Sequence, residues 1–200
     1  EEWMKKLEEF QMSNEDLEKE LDRNLEMLKK FEFEQALEES IEKLKEIIDQ
    51  QEDLKESNDE KSQPQESITE QQKELNKVFE KFSDKLDGLQ QKNEELEKRA
   101  NLSDTDSLQT TIEQQMQESK ENSEKNKRKK TSQSQQKTLD KMEALKEKLE
   151  QAQKKSGESG PPEDMEALRQ ILENLIDLSL DEEKLLKDLS TTNNDDPEYV

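Results

Sequence analysis

Apolar residues recur along the chain in steps of three and four, the spacing that keeps one stripe of a helix facing a partner helix. The first stripe runs through residues 3–57 and shifts by one residue after Phe31 before it resumes at Leu37. A polar stretch that includes Pro64 ends it. The second stripe, over 67–100, repeats without a slip through Ile68, Gln72, Leu75, Phe79, Phe82, Leu86, Leu89, Asn93, Leu96 and Ala100. A short connection between two such helices favours an antiparallel hairpin over residues 1–100.

The third segment, about 104–155, contains neither Gly nor Pro. Apolar side chains mark only its two ends, and residues 117–138 between them hold none. The marked positions are Leu108, Ile112 and Met116, then Leu139, Met142, Leu145, Leu149 and Ala152. The pattern predicts one long polar helix over 101–155. It also allows two shorter helices that separate within 117–138.

A linker over 156–162, with two Gly and two Pro, leads to an amphipathic helix pair over 163–191 and a polar tail over 192–200. Ten of the 22 residues in 168–189 are Leu or Ile. A face this broad needs either a multi-helix core or a partner. For a core, we expect docking on Leu108–Met116 or Leu139–Leu149. For a partner, the candidate binding residues are Leu168, Ile171, Leu172, Leu175, Ile176, Leu185 and Leu189.

The fold class that follows is all-α: a long antiparallel coiled-coil hairpin, a third long helix and a short C-terminal amphipathic pair. Composition supports it, because 43% of the 200 residues are charged, 26% are hydrophobic and 4% are aromatic. So little apolar surface cannot fill a thick core, but it suits long helices. Asn24 and Asn93 occupy stripe positions, where a polar residue can fix the pairing register.

The chain has no Cys and no His, which excludes disulfides, thiolate metal sites and imidazole catalysis within it. A net charge of −22 opposes general binding to nucleic acid or anionic lipid. No apolar run approaches the roughly 20 residues that cross a bilayer. Acidic pairs on solvated helix faces lack the pocket that acid–base catalysis requires. We therefore expect no enzyme, cofactor or metal site, and a protein partner or a second copy of the chain as the ligand.

One basic patch interrupts the acidic sequence at KNKRKK, over 125–130. Its cations could contact phosphates or anionic headgroups, although no aromatic residue lies nearby for base stacking. The alternative is an internal role, in which the patch offsets the repulsion between Glu-rich helix faces. The candidate anion-contact residues are Lys125, Lys127, Arg128, Lys129 and Lys130.

Three stretches carry a family resemblance: NEDLEKELDRNLEMLKKFEFEQALEESIEKLKEI (14–47), KRKKTSQSQQKTLDKMEALKEKL (127–149) and LRQILENLIDLSLDEEKLL (168–186). Together they resemble the coiled-coil region of large uncharacterised bacterial proteins, typical of Bacteroidota, that have transmembrane helices near the N-terminus. The resemblance implies a charged helical region outside the bilayer, anchored in the cell envelope by helices upstream of this segment. It brings no catalytic residues. We accordingly expect the segment to be a piece of a longer protein.

Overall fold

The computed structural model describes the backbone of residues 2–157 and the side chains of residues 19–156. Four helices and no strand occur in this part of the chain, which confirms the all-α class. The helices are α1 (Glu2–Asp59), α2 (Gln65–Glu94), α3 (Thr105–Glu124) and α4 (Arg128–Gly157). Two compact units divide the chain, and the larger one, Leu28–Ser159, contains α2, α3, α4 and the second half of α1. Of the other unit, only residues 2–27 of α1 lie in the described part.

The larger unit is a four-helix bundle in which each helix runs antiparallel to the next. Contacts across α1 and α2 join Gln51 to Gln72 and, farther from the turn, Glu32 to Lys92. Contacts across α2 and α3 join Gln65 to Ser123 at one end and Gln90 to Thr105 at the other. Helix α4 contacts α3 through Asn122 and Ser134, and it contacts α1 through Arg128 with Asn58 and through Ser156 with Glu34. Short connections produce this up-down-up-down order.

The prediction of one long helix over 101–155 is wrong, because the chain turns at residues 125–127. Asn126 there has φ 52°, a left-handed conformation that Asn tolerates better than most residues. The Lys127 N–H donates to the Asn122 carbonyl at 2.8 Å, and the Asn126 N–H donates to the Ser123 carbonyl at 2.9 Å. This pair of bonds is a Schellman motif, which satisfies the last carbonyls of α3. The alternative of two shorter helices therefore holds.

A continuous core fills the bundle, and it follows the apolar stripes read from the sequence. In the second stripe every side chain is buried except that of Ala100, which is half-buried. In the third segment all marked positions are buried except Leu108, which packs against the core while half-buried. In α1 the buried aromatic side chain is Phe33 rather than Phe31. The buried face of α1 therefore shifts by a few residues at the point where the apolar pattern of the sequence shifts.

Helix α2 ends at Glu94, earlier than the predicted 100. The Asn93 side chain makes two hydrogen bonds to the connection that follows. Its Nδ2 donates to the Ala100 carbonyl at 2.9 Å, and its Oδ1 accepts from the Ala100 N–H at 2.7 Å. Asn93 was predicted to fix helix pairing, but its bonds go to this loop. Asn24, the other such position, is half-buried in α1.

The core has two halves of different chemistry. The apolar half lies toward the α2–α3 connection, and it buries Phe33, Leu37, Leu44, Phe79, Phe82, Leu86, Leu89, Ile112, Met142, Leu145, Leu149 and Ala152. The polar half lies toward the α1–α2 and α3–α4 turns. Its buried polar side chains are Gln51, Asn58, Gln65, Gln72, Ser119, Ser123, Thr131, Ser134, Gln135 and Thr138. Leu54 and Ile68 are buried in that half as well.

Candidate functional site

A hydrogen-bonded layer at the start of the polar half takes one residue from each helix: Gln51, Gln72, Ser119 and Gln135. All four have 0% of their surface exposed. The two amides of Gln51 and Gln72 face each other, and Gln72 Nε2 donates to Gln51 Oε1 at 3.0 Å. Gln72 Oε1 in turn accepts from Ser119 Oγ at 2.9 Å and from Gln135 Nε2 at 3.1 Å. Gln72 is therefore the centre of a network that spans the bundle. These four residues are called the glutamine layer below.

A second polar cluster lies between this layer and the turns. Gln65 Nε2 donates to Ser123 Oγ at 2.8 Å, and the hydroxyls of Ser123 and Thr69 lie 2.6 Å apart. These bonds join α2 to α3 with small side chains that allow close approach. Buried polar groups are tolerated when they are paired in this way. Three buried oxygens in the polar half nevertheless accept no hydrogen bond from the protein: Asn58 Oδ1, Gln65 Oε1 and Gln135 Oε1.

Arg128 closes the turn end of the bundle. Its guanidinium donates to the backbone carbonyl of Asn58 at 3.2 Å through one terminal nitrogen and to that of Gln63 at 2.7 Å through the other. The Asn58 side chain returns a hydrogen bond, with Nδ2 3.2 Å from the Arg128 carbonyl. The Asn58 carbonyl lies in the last turn of α1, where a helix leaves carbonyls without an intrahelical partner, and the Gln63 carbonyl lies in the α1–α2 connection. Arg128 thus has an internal structural contact.

The cations of the basic patch at 125–130 therefore differ in their surroundings. Lys125 Nζ lies 3.6 Å from a Glu121 carboxylate oxygen, one helical turn back in α3. The side chains of Lys127, Lys129 and Lys130 are exposed, and the last two stand in the first turn of α4, which contains no acid. Cations at that position oppose the helix dipole. The patch therefore offers three outward lysines instead of five cations.

The seven partner-binding candidates Leu168, Ile171, Leu172, Leu175, Ile176, Leu185 and Leu189 lie outside the described residues. Their predicted docking surfaces on α3 and α4 are described. Ile112, Met116, Leu139, Leu145 and Leu149 belong to the core that the four helices share. The large hydrophobic side chains that remain exposed among residues 19–156 are Leu21, at 57%, and Leu25, at 51%.

Two shallow grooves mark the surface of the polar half. One, of about 430 Å³, lies between α1 and α2, and Leu54, Leu75 and Val78 contribute apolar lining. The other, of about 390 Å³, lies between α1 and α4 and is mainly acidic, with Glu52, Glu56, Asp59, Asp140 and Glu143 among its lining residues. Lys55 lies 2.7 Å from Asp59 within that second groove.

Ionisable groups on the surface are perturbed by local pairs rather than by a cleft. Partial burial acts to raise the pKa of Asp59, but hydrogen bonds from Lys55 and Ser132 outweigh it and leave that pKa below its usual value. A hydrogen bond from Gln117, helped by the charge of Lys125, lowers the pKa of Glu121. The hydrogen bond between Lys77 and Glu74 lowers the pKa of the acid and raises that of the base. These shifts reflect pairing of exposed groups.

Within residues 19–156 no three acidic side chains are grouped so as to hold a metal ion. No helix over residues 2–157 is both long and apolar enough to cross a membrane. The buried polar network is thus the most specific constellation of side chains in these residues.

Comparisons with known protein families, with characterised proteins and with solved structures find no significant match to this chain.

The apolar stripes do not reveal most of the polar network, because residues 117–138 contain no apolar side chain. A signal for it does exist in the spacing. Thr131, Gln135 and Thr138 continue the steps of four and three that lead into Met142. Extending the heptad through polar residues, rather than stopping at the last apolar one, would have found α4 and its buried face. The same extension through Ser119 and Ser123 completes α3.

Proposed function

We propose that this chain is a non-enzymatic structural and protein-docking module, which acts as spacer and docking surface in a membrane-anchored bacterial envelope protein. The observation that carries the proposal is the glutamine layer, to which each of the four helices contributes one fully buried side chain. A network of this kind is satisfied in one helix register and broken in others, so it favours a fixed geometry. A spacer needs such a geometry.

The exterior of the bundle supports the docking part of the proposal. The net charge of −22 keeps the module apart from nucleic acid and anionic membranes and steers it toward basic surfaces of proteins. The envelope location comes from the family resemblance of the three stretches. Membrane fractionation of the full-length protein in its native cell tests the location, and recovery in the cytosolic fraction would contradict it.

A more specific form of the proposal assigns partner capture to the 168–189 stretch. The surfaces on α3 and α4 that were expected to receive that stretch belong to the bundle core, and we therefore assign its broad apolar face to a protein partner. An amphipathic helix with a wide apolar face is a common recognition element.

Thermal unfolding of the whole chain, followed by circular dichroism, tests the structural role. The midpoint should be the same at two protein concentrations about a hundredfold apart, because an intramolecular bundle gains nothing from mass action. A midpoint that rises with concentration would contradict a prefolded spacer and would make self-assembly the leading function.

The variant Leu172→Asp/Leu175→Asp separates the structural role from the docking role. Glu173→Asp/Asn174→Asp is the matched control, since it changes the same segment at polar positions. Loss of helicity in the first variant alone would assign the stretch to the folded core. Retained helicity together with loss of binding to a partner would assign it to docking.

A second candidate function, anion contact, is favoured by the exposed Lys127, Lys129 and Lys130 at the start of α4. Helix N-termini attract anions, and lysines add to that field. The variant Lys129→Gln/Lys130→Gln should weaken binding to phosphatidylserine vesicles at low salt. The control Lys137→Gln/Lys141→Gln removes two exposed lysines farther along the same helix. If the unmodified chain does not bind these vesicles at low salt, lipid anion contact is excluded.

A further inference from the structure

The hydrogen bonds in the core of the polar half can be replaced by hydrogen bonds to water. Opening this half would exchange the hydrogen bonds of Gln51, Gln72, Ser119 and Gln135 for bonds to water. The net loss of free energy in such an exchange is small, because the same groups are satisfied on both sides. Opening the apolar half would instead expose fully buried side chains such as Phe33, Leu44 and Met142, for which water offers no compensation.

Three buried oxygens act in the same direction. Asn58 Oδ1, Gln65 Oε1 and Gln135 Oε1 accept no hydrogen bond from the protein in the closed bundle. Each oxygen would gain hydrogen bonds from solvent when the polar half opens. Gln109 Oε1 and Gln115 Oε1, in α3 outside the polar half, accept no hydrogen bond either, so the polar half is held less firmly mainly because it buries fewer apolar side chains.

Contacts at the turns oppose this opening. Arg128, the first residue of α4, donates to the backbone carbonyls of Asn58 and Gln63 at 3.2 and 2.7 Å. Asn58 donates back to the Arg128 carbonyl at 3.2 Å. These three bonds tie the α3–α4 turn to the α1–α2 turn, directly over the polar half. Hydrogen bonds from a charged donor are stronger than neutral ones.

We propose that the polar half is a conformational switch, which opens as a unit while the apolar half stays folded, and that Arg128 is the latch that holds it closed. Opening separates the α1–α2 hairpin from the α3–α4 hairpin at their turns. It breaks the bonds between Gln65 and Ser123 and between Gln72 and Ser119, and it uncovers Leu54 and Ile68. Cooperative opening of part of a domain is common where a region has few buried apolar contacts.

Native-state hydrogen exchange of the whole chain tests the switch, with Arg128→Ala as the latch variant. Exchange in segments 51–58, 65–72, 119–123 and 131–138 should accelerate by about tenfold or more, as expected for the loss of two charge-assisted hydrogen bonds. Exchange in segments 37–44, 82–89 and 142–149 should stay at the wild-type rate. Lys129→Ala is the matched control, since Lys129 is an exposed cation next in sequence, and it should accelerate neither set.

Arg128→Lys separates the forked hydrogen bonds from the positive charge. A lysine ammonium cannot reproduce the two-pronged geometry of a guanidinium. Exchange in the polar half should therefore fall between the wild-type and Arg128→Ala rates. If Arg128→Lys exchanges like the wild type, the positive charge at this position holds this end, and the assignment of the latch to the two forked hydrogen bonds is wrong.

Two other results would overturn the proposal. One is an Arg128→Ala variant whose polar half exchanges no faster than that of the wild type. The other is equal acceleration in both halves, since this would mean that the bundle opens only as a whole. Hydrogen exchange in low urea adds a second readout. Partial opening exposes less surface than global unfolding, so the exchange rate of the polar half should depend less steeply on urea.

Discussion

The two halves of the bundle use the same four helices and the same heptad spacing, yet their cores differ in chemistry. In the apolar half, side chains such as Leu37, Phe82 and Leu149 fill the space between the helices. In the polar half, Gln51, Gln72 and Gln135 occupy equivalent inward positions and are just as completely buried. Burial in this protein follows the position of a residue in the heptad more closely than its polarity. Hydropathy alone therefore underestimates the length of the core.

The two halves of the core also contribute differently to folding. Apolar burial stabilises a domain without specifying which helix turn meets which. The glutamine layer adds specificity, because Gln72 bonds to a side chain from each of the other three helices. A shift by one heptad would place these amides against apolar residues and leave them unpaired. We infer that the apolar half supplies most of the stability and the polar half fixes the register.

The largest effect is expected from a large-to-small change in the apolar half. Phe82 is 2% exposed, and its ring centroid lies 5.6 Å from that of Phe79. Phe82→Ala should lower the free energy of unfolding by about 3–5 kcal/mol, because it removes buried surface and leaves a cavity. Urea denaturation followed by circular dichroism measures this change.

Phe82→Leu is the control for that measurement, and it should cost clearly less because most of the volume is kept. Ser119→Ala gives the comparison in the polar half, where only one hydroxyl is lost. If Ser119→Ala proved as costly as Phe82→Ala, the assignment of stability to the apolar half would be wrong.

The second prediction concerns the centre of the glutamine layer. Gln72→Ala should lower the free energy of unfolding by about 2–4 kcal/mol, since it creates a cavity and leaves Ser119 and Gln135 without their buried acceptor. The fourfold variant Gln51→Leu/Gln72→Leu/Ser119→Ala/Gln135→Leu removes all partners together. It should unfold at the wild-type urea concentration or above, because no polar group of the layer then remains unpaired.

The fourfold variant should lose the specificity for a single helix register and oligomeric state. Without the glutamine layer, alternative helix registers and oligomers lose their penalty. We expect broadened NMR signals or a mixture of species in sedimentation velocity. A single, sharply folded monomer with wild-type dispersion would show that the layer does not set the register.

The sequence predicted some parts of this contrast and not others. The stripe from Ile68 to Asn93 predicted the buried face of α2 because every step is three or four residues. The separation of α3 from α4 rests on the left-handed conformation of Asn126, which a single Asn in a lysine-rich stretch signals weakly. Burial of Gln135 depends on its partner Gln72 in another helix, and local pattern does not reveal which polar residues will find such a partner.

Site prediction was less successful for the same reason. The five cations of 125–130 are alike in sequence, but the fold places only Arg128 beside the backbone carbonyls of Asn58 and Gln63. That contact joins residues 70 positions apart. The role of Asn93 was misjudged because its partner, Ala100, lies in a loop that the heptad pattern assigned to the helix. Long-range contacts decided both cases.

A smaller effect, and a stabilising one, is expected at Gly88 in α2. A Cβ atom at this helical position would meet nothing within 4 Å. Gly88→Ala should therefore raise the free energy of unfolding by about 0.5–1 kcal/mol, because glycine loses more backbone entropy in a helix. In hydrogen exchange the gain should appear in the apolar half and widen its difference from the polar half. Gly88→Ser is the control and should give a smaller gain.

The smallest effect concerns Asp59, at the end of α1 in the polar half. Burial acts to raise its pKa, but hydrogen bonds from Lys55 and Ser132 leave it lowered. A carboxyl whose pKa is lower in the folded state stabilises the fold above its unfolded pKa of about 4, and that contribution is lost as the pH falls through the folded value. The side chain is 39% exposed, so solvent screening keeps the contribution below about 1 kcal/mol.

Asp59→Asn should therefore lower the free energy of unfolding slightly at pH 7, and its difference from the wild type should be lost as the pH falls through the lowered pKa of the folded state. Asp49→Asn is the matched control, because it removes the same charge from an exposed site on α1. Relief of the general repulsion at a net charge of −22 is common to both variants, so subtracting one from the other isolates the local pair. If the two variants follow the same curve with pH, the turn end of the polar half depends on the Arg128 contacts and gains nothing from the pair of Lys55 and Asp59.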